Sequence, residues 1–99
     1  MTITKNKEAG KLTLALEGRL DTITSSQLEV EFRTSVDSVT ELVFDLEKLA
    51  YISSAGLRVL LAAQKVMNRQ GEMKVKNVKP EIMEIFEVTG FVDILNIEE

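Results

Sequence analysis

The chain contains no histidine and no cysteine. Without histidine there is no Ser-His-Asp triad, no imidazole general base and no histidine zinc site. Without cysteine there is no disulfide, no thiolate nucleophile and no sulfur-bound metal. A Gly-rich phosphate loop of the Walker type is also missing. No apolar run approaches the roughly 20 residues a membrane span requires. No basic segment leads into an apolar stretch near Met1, so neither membrane insertion nor a signal peptide is expected. Twelve Lys and Arg are scattered among sixteen Asp and Glu, giving a net charge of -4. The densest basic stretch, Lys74, Lys76 and Lys79, alternates as the solvated face of a strand would. Phosphate backbones call for clustered cations, so no direct nucleic-acid partner is expected. These absences leave a regulator or binding module rather than an enzyme, with no cofactor and no metal, expected in the cytoplasm.

What is present fits one ordinary folded unit. The 99 residues are 44% apolar and 28% charged, too apolar for disorder and too short for two cores. A single domain over 1–99 is therefore expected. Ile3 lies in a short extended segment ending near Asn6, and Ala9-Gly10 reads as a hairpin turn. Leu12, Leu14 and Leu16 alternate with polar or small residues, the period of a half-buried strand. Gly18 is expected to break that strand, leaving 19–23 as a connection. Thr24 and Gln27 have the spacing of a capping box, so the first helix is placed from there to about Ser38, with Leu28, Phe32 and Val36 as its apolar stripe.

Leu42-Val43-Phe44 reads as a short buried strand ending in Asp45, with Leu46, Leu49 and Ile52 in a loop beyond it. A second helix should run from near Ser54 to Asn68 or Arg69 and stop at Gly71. Met73 and Val75 mark another strand. Pro80 suits the first position of a third helix, although Lys79 is a poor cap, and Gly90 ends it. Phe91, Ile94, Leu95 and Ile97 finish as a strand or strand-like tail. The order β-β-α-β-α-β-α-β predicts an α/β fold, a small mixed β-sheet with an antiparallel first hairpin and helices packed on it.

The densest chemistry lies in Ile52-Ser53-Ser54-Ala55-Gly56-Leu57-Arg58, where a strand pattern gives way to a helix. Ligand sites favour this edge of open α/β sheets. Helix N-termini present free N–H groups and a positive partial charge, so a phosphate fits there. Serine is also a preferred N-cap, and from spacing alone capping is the stronger reading of either hydroxyl. Gly56 has a packing reading as well, since glycine at a helix start costs roughly 0.5–1 kcal/mol against alanine. Asp45 and Asp21 read most simply as loop and turn residues bonding nearby N–H groups.

Taken together these segments resemble the STAS domain, found in anti-sigma factor antagonists. Gly18-Arg19-Leu20-Asp21, Leu42-Val43-Phe44-Asp45-Leu46 and Ile52-Ser53-Ser54-Ala55-Gly56-Leu57 resemble three of its segments. Gly71, Phe86 and Gly90 also match, and the likeness covers nearly the whole chain. The resemblance implies a partner switch. An anti-sigma factor that is also a serine kinase binds the unphosphorylated antagonist and releases its sigma factor. Phosphorylation of a serine or threonine in the signature ends that binding, and a PP2C-type phosphatase resets it. The sequence departs from Asp-Ser-Ser/Thr-Gly twice: Ser53 stands at the Asp position, and Ala55 directly precedes Gly56. The resemblance then implies Ser54 as phosphoacceptor, with Ser53 as the alternative, and a partner-binding surface of Asp21, Ser53, Gly56 and Leu57, to which Arg58 is added from its place one turn into the helix. The alternative function is a non-switching STAS scaffold subunit of a transport or signalling complex.

Overall fold

The structure is a computed structural model, and residues 1–98 are described. Strand β1 (Thr2–Glu8) turns through Ala9 and Gly10 into β2 (Lys11–Leu20). Helix α1 (Thr22–Ser35), strand β3 (Glu41–Ile52), helix α2 (Ser54–Gln70), strand β4 (Glu72–Lys76) and helix α3 (Pro80–Thr89) follow. A 3-10 turn (Phe91–Asp93) leads into the two-residue strand β5 (Ile97–Glu98). Apart from that turn, the expected order of strands and helices is the observed one.

The hairpin is tight because Ala9 and Gly10 both take positive φ, +45° and +91°. This is the backbone twist that two-residue hairpin turns favour. β1 pairs antiparallel with β2, whereas β2–β3, β3–β4 and β4–β5 all pair in parallel. The spatial order β1-β2-β3-β4-β5 repeats the order in sequence. Right-handed crossovers that always step the same way put all three helices on one face of the sheet.

Burial agrees with this layering. Leu12, Leu14 and Leu16 of β2, Leu42, Phe44 and Leu46 of β3, and Met73 and Val75 of β4 are buried in one core. From the helices, Leu28 and Phe32 (α1), Leu60, Ala63 and Met67 (α2), and Ile82 and Phe86 (α3) enter the same core. Each leucine or phenylalanine so buried contributes about 1.5–3 kcal/mol. The residues between them on the strands face the other way and are mostly half-buried or exposed.

Four local expectations need correction. Gly18 does not end β2. It takes φ +106° and absorbs a register shift against β3, so the strand bends and runs on through Leu20. β3 does not end at Asp45 either, and continues for seven more residues to Ile52. The shift between Ala15 and Glu17 opposite it moves the inward positions to Leu46, Leu49 and Ile52, a spacing of three that hides the strand period. Helix α1 starts earlier than the Thr24–Gln27 pattern suggests. Asp21 is its N-cap and closes a capping box with Thr24. The C-terminal segment, expected as a strand or strand-like tail, begins as a 3-10 turn at Phe91–Asp93 and pairs as a strand only at Ile97–Glu98.

Candidate site at the carboxyl edge of the parallel strands

Two strand ends are stitched together at one edge of the sheet. The Ser53 N–H donates to the Leu20 carbonyl at 2.8 Å. Leu20 ends β2 and Ser53 follows β3, so the next residue on each chain starts or caps a helix. The sheet thus sets the N-termini of α1 and α2 side by side.

At the α1 end, Asp21 Oδ1 accepts from the Ile23 and Thr24 amides, both at 3.0 Å. The Thr24 hydroxyl in turn accepts from the Asp21 amide at 2.8 Å. These bonds, the Thr24 amide first, hold the Asp21 carboxyl below its ordinary value of 3.8, with the nearby Arg19 charge adding to the effect. Desolvation opposes them, second only to the Thr24 amide in size, and the net direction is still downward. The Ser25 hydroxyl donates back to the Asp21 carbonyl. Asp21 therefore belongs first to the helix it caps.

At the α2 end the two serines divide the roles. Ser53 is the N-cap, and its Oγ accepts from the Gly56 amide at 3.3 Å. Its carbonyl accepts the first helical bond, from Leu57 N at 3.0 Å. Ser54 is the first helical residue and is exposed. Its hydroxyl is not used in the cap. The cap is thus Ser53 and not Ser54, a distinction that spacing alone could not make.

Gly56 is buried for a steric reason. A Cβ there would stand 2.8 Å from Leu20 Cγ and 2.9 Å from Ile52 Cγ1. The first turn of α2 lies directly on the ends of β2 and β3, and only glycine lets it approach so closely. Leu57 is 7% exposed and joins the core. Gly56 and Leu57 therefore position the turn from beneath. Arg58 is exposed, one turn beyond Ser54. It lines a depression of about 320 Å³ with Thr22, Ser26, Glu29 and Ala55, between the starts of α1 and α2.

Three neighbours escaped the sequence reading. Ile23, in the first turn of α1, is 83% exposed. Arg19 stacks its guanidinium 4.1 Å from the Tyr51 ring centre, a cation–π contact at the ends of β2 and β3. Reading Asp21 as the cap would have found Ile23. It then falls off the buried stripe of Ser25, Leu28, Phe32 and Ser35 and must face outward. Neither strand end was legible, because both lie past the bulges.

Asp45 is engaged with the loops. Its Oδ1 accepts from the Glu47 amide at 3.1 Å and from Asn77 Nδ2 at 3.0 Å. Among the described residues no group of three or more Asp or Glu is arranged to hold a metal ion. Among the same residues no helix is long and apolar enough to cross a membrane.

Comparison with known proteins agrees with this architecture. A model of the STAS domain matches residues 2–99. BtrV of Bordetella bronchiseptica, itself only proposed to be an anti-sigma factor antagonist, is 42% identical over 96 residues, spanning 95% of this chain and 83% of BtrV. The anti-sigma F factor antagonist of Paenibacillus polymyxa is 30% identical over 91 residues, 89% of this chain and 78% of that protein. The crystal structure of an anti-sigma factor antagonist from Mycobacterium paratuberculosis superposes with a TM-score of 0.86 at 23% identity. It covers 97% of this chain and 83% of that one, a likeness of fold.

Proposed function

The chain belongs to the STAS domain family, and on that premise we propose that it acts as an anti-sigma factor antagonist whose binding is switched at Ser54. In this reading the unphosphorylated form binds an anti-sigma factor that is also a serine kinase, freeing the sigma factor. The kinase then phosphorylates Ser54 and loses its hold, and a PP2C-type phosphatase restores the hydroxyl. The cycle runs in the cytoplasm and regulates transcription without this chain touching nucleic acid. The observation that carries the reading is the division of labour between the two serines. Ser53 is spent on the cap, and Ser54 stands exposed on the first turn beside a second helix N-terminus.

The chain has no His to activate the hydroxyl and no Walker-type loop to hold ATP, so the kinase brings both. Ser54 and Arg58 meet the partner directly. Asp21 and Ser53 hold the two helix starts, while Gly56 and Leu57 set the height of the turn from below. A phosphate on Ser54 adds about -1.5 to -2 charges. The helix dipole favours that charge by about 0.3–1 kcal/mol, so the fold is kept. A like-charge contact with the partner at about 4 Å and an effective dielectric near 20 costs on the order of 4 kcal/mol, nearly three decades of affinity.

The test is incubation with the cognate kinase and ATP, followed by mapping of the modified residue. Ser54→Ala is expected to abolish labelling while Ser53→Ala is still labelled. Labelling of Ser53 instead moves the acceptor by one residue. A second reading, a STAS scaffold that binds constitutively, draws on Ala55, which leaves no hydroxyl directly before Gly56. Tight binding of a kinase-like partner without any phosphate transfer to wild type would select it.

A further inference from the structure

The C-terminal fifth of the chain has a charge unlike the rest. From Pro80 onward there are six carboxylates and no Lys or Arg, while the preceding residues hold twelve basic and ten acidic groups. Among the described residues, Glu81, Glu84, Glu87 and Asp93 form no ion pair. Glu81 suits the first turn of α3, where the dipole favours a carboxylate. Glu84 and Glu87 have no such reason. They follow Glu81 at successive three-residue steps, where like charges repel, and Glu87 stands in the last turn, where the dipole favours a cation.

The same stretch exposes apolar side chains. Val88 is 81% exposed and Ile94 44%, and Val92 is also open to solvent. They account for three of the six large hydrophobic residues so exposed among those described. Two shallow depressions adjoin them. One, of about 340 Å³, is bordered by Glu84, Ile85 and Val88. The other, of about 420 Å³, is bordered by Met83, Glu87 and Val92. One apolar floor on α3 and one of mixed character between α3 and the segment after it thus lie side by side, each edged by unpaired carboxylates. The strand order sets α3 on the opposite side of α2 from α1, away from the depression beside Ser54.

We propose that α3 and the turn after it form a second docking surface, for a protein segment carrying basic residues around an apolar face. Charge complementarity selects this occupant. Nucleic acid and anionic lipid would be repelled by the carboxylates. A second copy docked by the same patch would set its Glu84 and Glu87 against their own counterparts. A basic amphipathic helix satisfies both features at once, because its cations meet the rim and its apolar side chains cover Val88 and Val92. This surface does not depend on which serine is modified.

The experiment titrates the isotope-labelled full chain with a 14-residue peptide of Leu and Lys patterned as an amphipathic helix, followed by backbone amide NMR. A peptide of equal composition with its apolar face scrambled is the control. Saturable shifts confined to 81–97, with at least tenfold weaker binding of the scrambled peptide, are expected. Glu84→Lys with Glu87→Lys, or Val88→Asp alone, should weaken binding at least tenfold with unchanged circular dichroism. The double variant should instead take up a Leu/Glu peptide. Equal binding of the two Lys peptides would overturn the proposal, as would shifts spread to Glu29 and Glu31. Self-association of the free chain that Val88→Asp abolishes would assign the patch to a second copy and overturn it too.

Discussion

Helices α2 and α3 leave the same edge of the sheet and both stop at glycine, yet they are held in different ways. α2 begins with a serine cap and a glycine pressed against two strand ends. It ends at Gly71, whose φ of 173° any residue can adopt. A Cβ there would lie 1.9 Å from the Thr40 carbonyl oxygen, so glycine is present for space alone. α3 begins at Lys79 with no side-chain cap and relies on Pro80. It ends at Gly90, with φ +81° and nothing within 4 Å of where a Cβ would stand. One helix is fixed by contact, the other by the intrinsic preferences of its ends. The proposed acceptor at Ser54 calls for a fixed position, whereas the proposed docking face on α3 tolerates a looser one.

The sharpest way to break the contrast is at the helix ends. Gly71→Ala must push the chain away from Thr40 and disturb the start of β3–β4 pairing, where Glu72 N donates to Thr40 O at 3.0 Å. Urea denaturation should show a loss above about 4 kcal/mol, in the range reserved for steric or burial defects. Gly90→Ala meets no neighbour and pays only for its left-handed conformation, about 1–2 kcal/mol. Near-equal losses at the two glycines would erase the distinction.

Next in size is the start of α2. Gly56→Ala should cost about 1–3 kcal/mol, since Leu20 and Ile52 must shift to admit the methyl group. It should also weaken binding at the Ser54 edge by tilting the first turn. The caps give a smaller effect of opposite sign in the two helices. Ser53→Ala should cost about 0.5–2 kcal/mol, and Lys79→Asp should stabilise by about 0.5–1 kcal/mol through the missing cap. Thermal melting of both variants checks the pair.

The smallest effect separates charge from capping at α1. Asparagine caps about as well as aspartate, so Asp21→Asn isolates the carboxylate charge. The folded-state value of Asp21 is lowered, so its contribution is present above the unfolded value of 3.8 and is lost as pH falls through the folded value. Wild type should be more stable than Asp21→Asn at neutral pH, and the two should converge in acid. A constant difference across that range would show that the charge contributes nothing.

The fold was legible in outline because most elements keep their period. Leu12, Leu14 and Leu16 alternate, and Leu28 and Phe32 recur by one turn. Pro80 and Gly90 bracket α3 where the structure has it. What failed shares one cause. Bulges insert residues into a strand without ending it, so Gly18 read as a stop and Leu46 to Ile52 as a loop. Overlooking the Asp21 cap followed from this, since a strand believed to end at Gly18 leaves Asp21 in a connection. At the candidate site the residue types drew attention to the segment from Ile52 to Arg58. Only the hydrogen bonds told Ser53 from Ser54, and only burial showed that Leu57 faces inward. Arg19 and Tyr51 meet through pairing across β2 and β3, a relation no local spacing encodes.

The bond from Ser53 N to Leu20 O has a consequence for the order of assembly. Every strand pairs only with its neighbours in sequence, so the sheet can grow outward from the first hairpin, one helix–strand unit at a time. Yet the edge bearing Ser54 does not exist until β3 has zipped along the full length of β2. An unfolded or half-built chain carries the same serines in the same order, without the two neighbouring helix starts that frame them. The surface is therefore a conformational epitope, and the kinase proposed above would inspect the finished fold before acting on it.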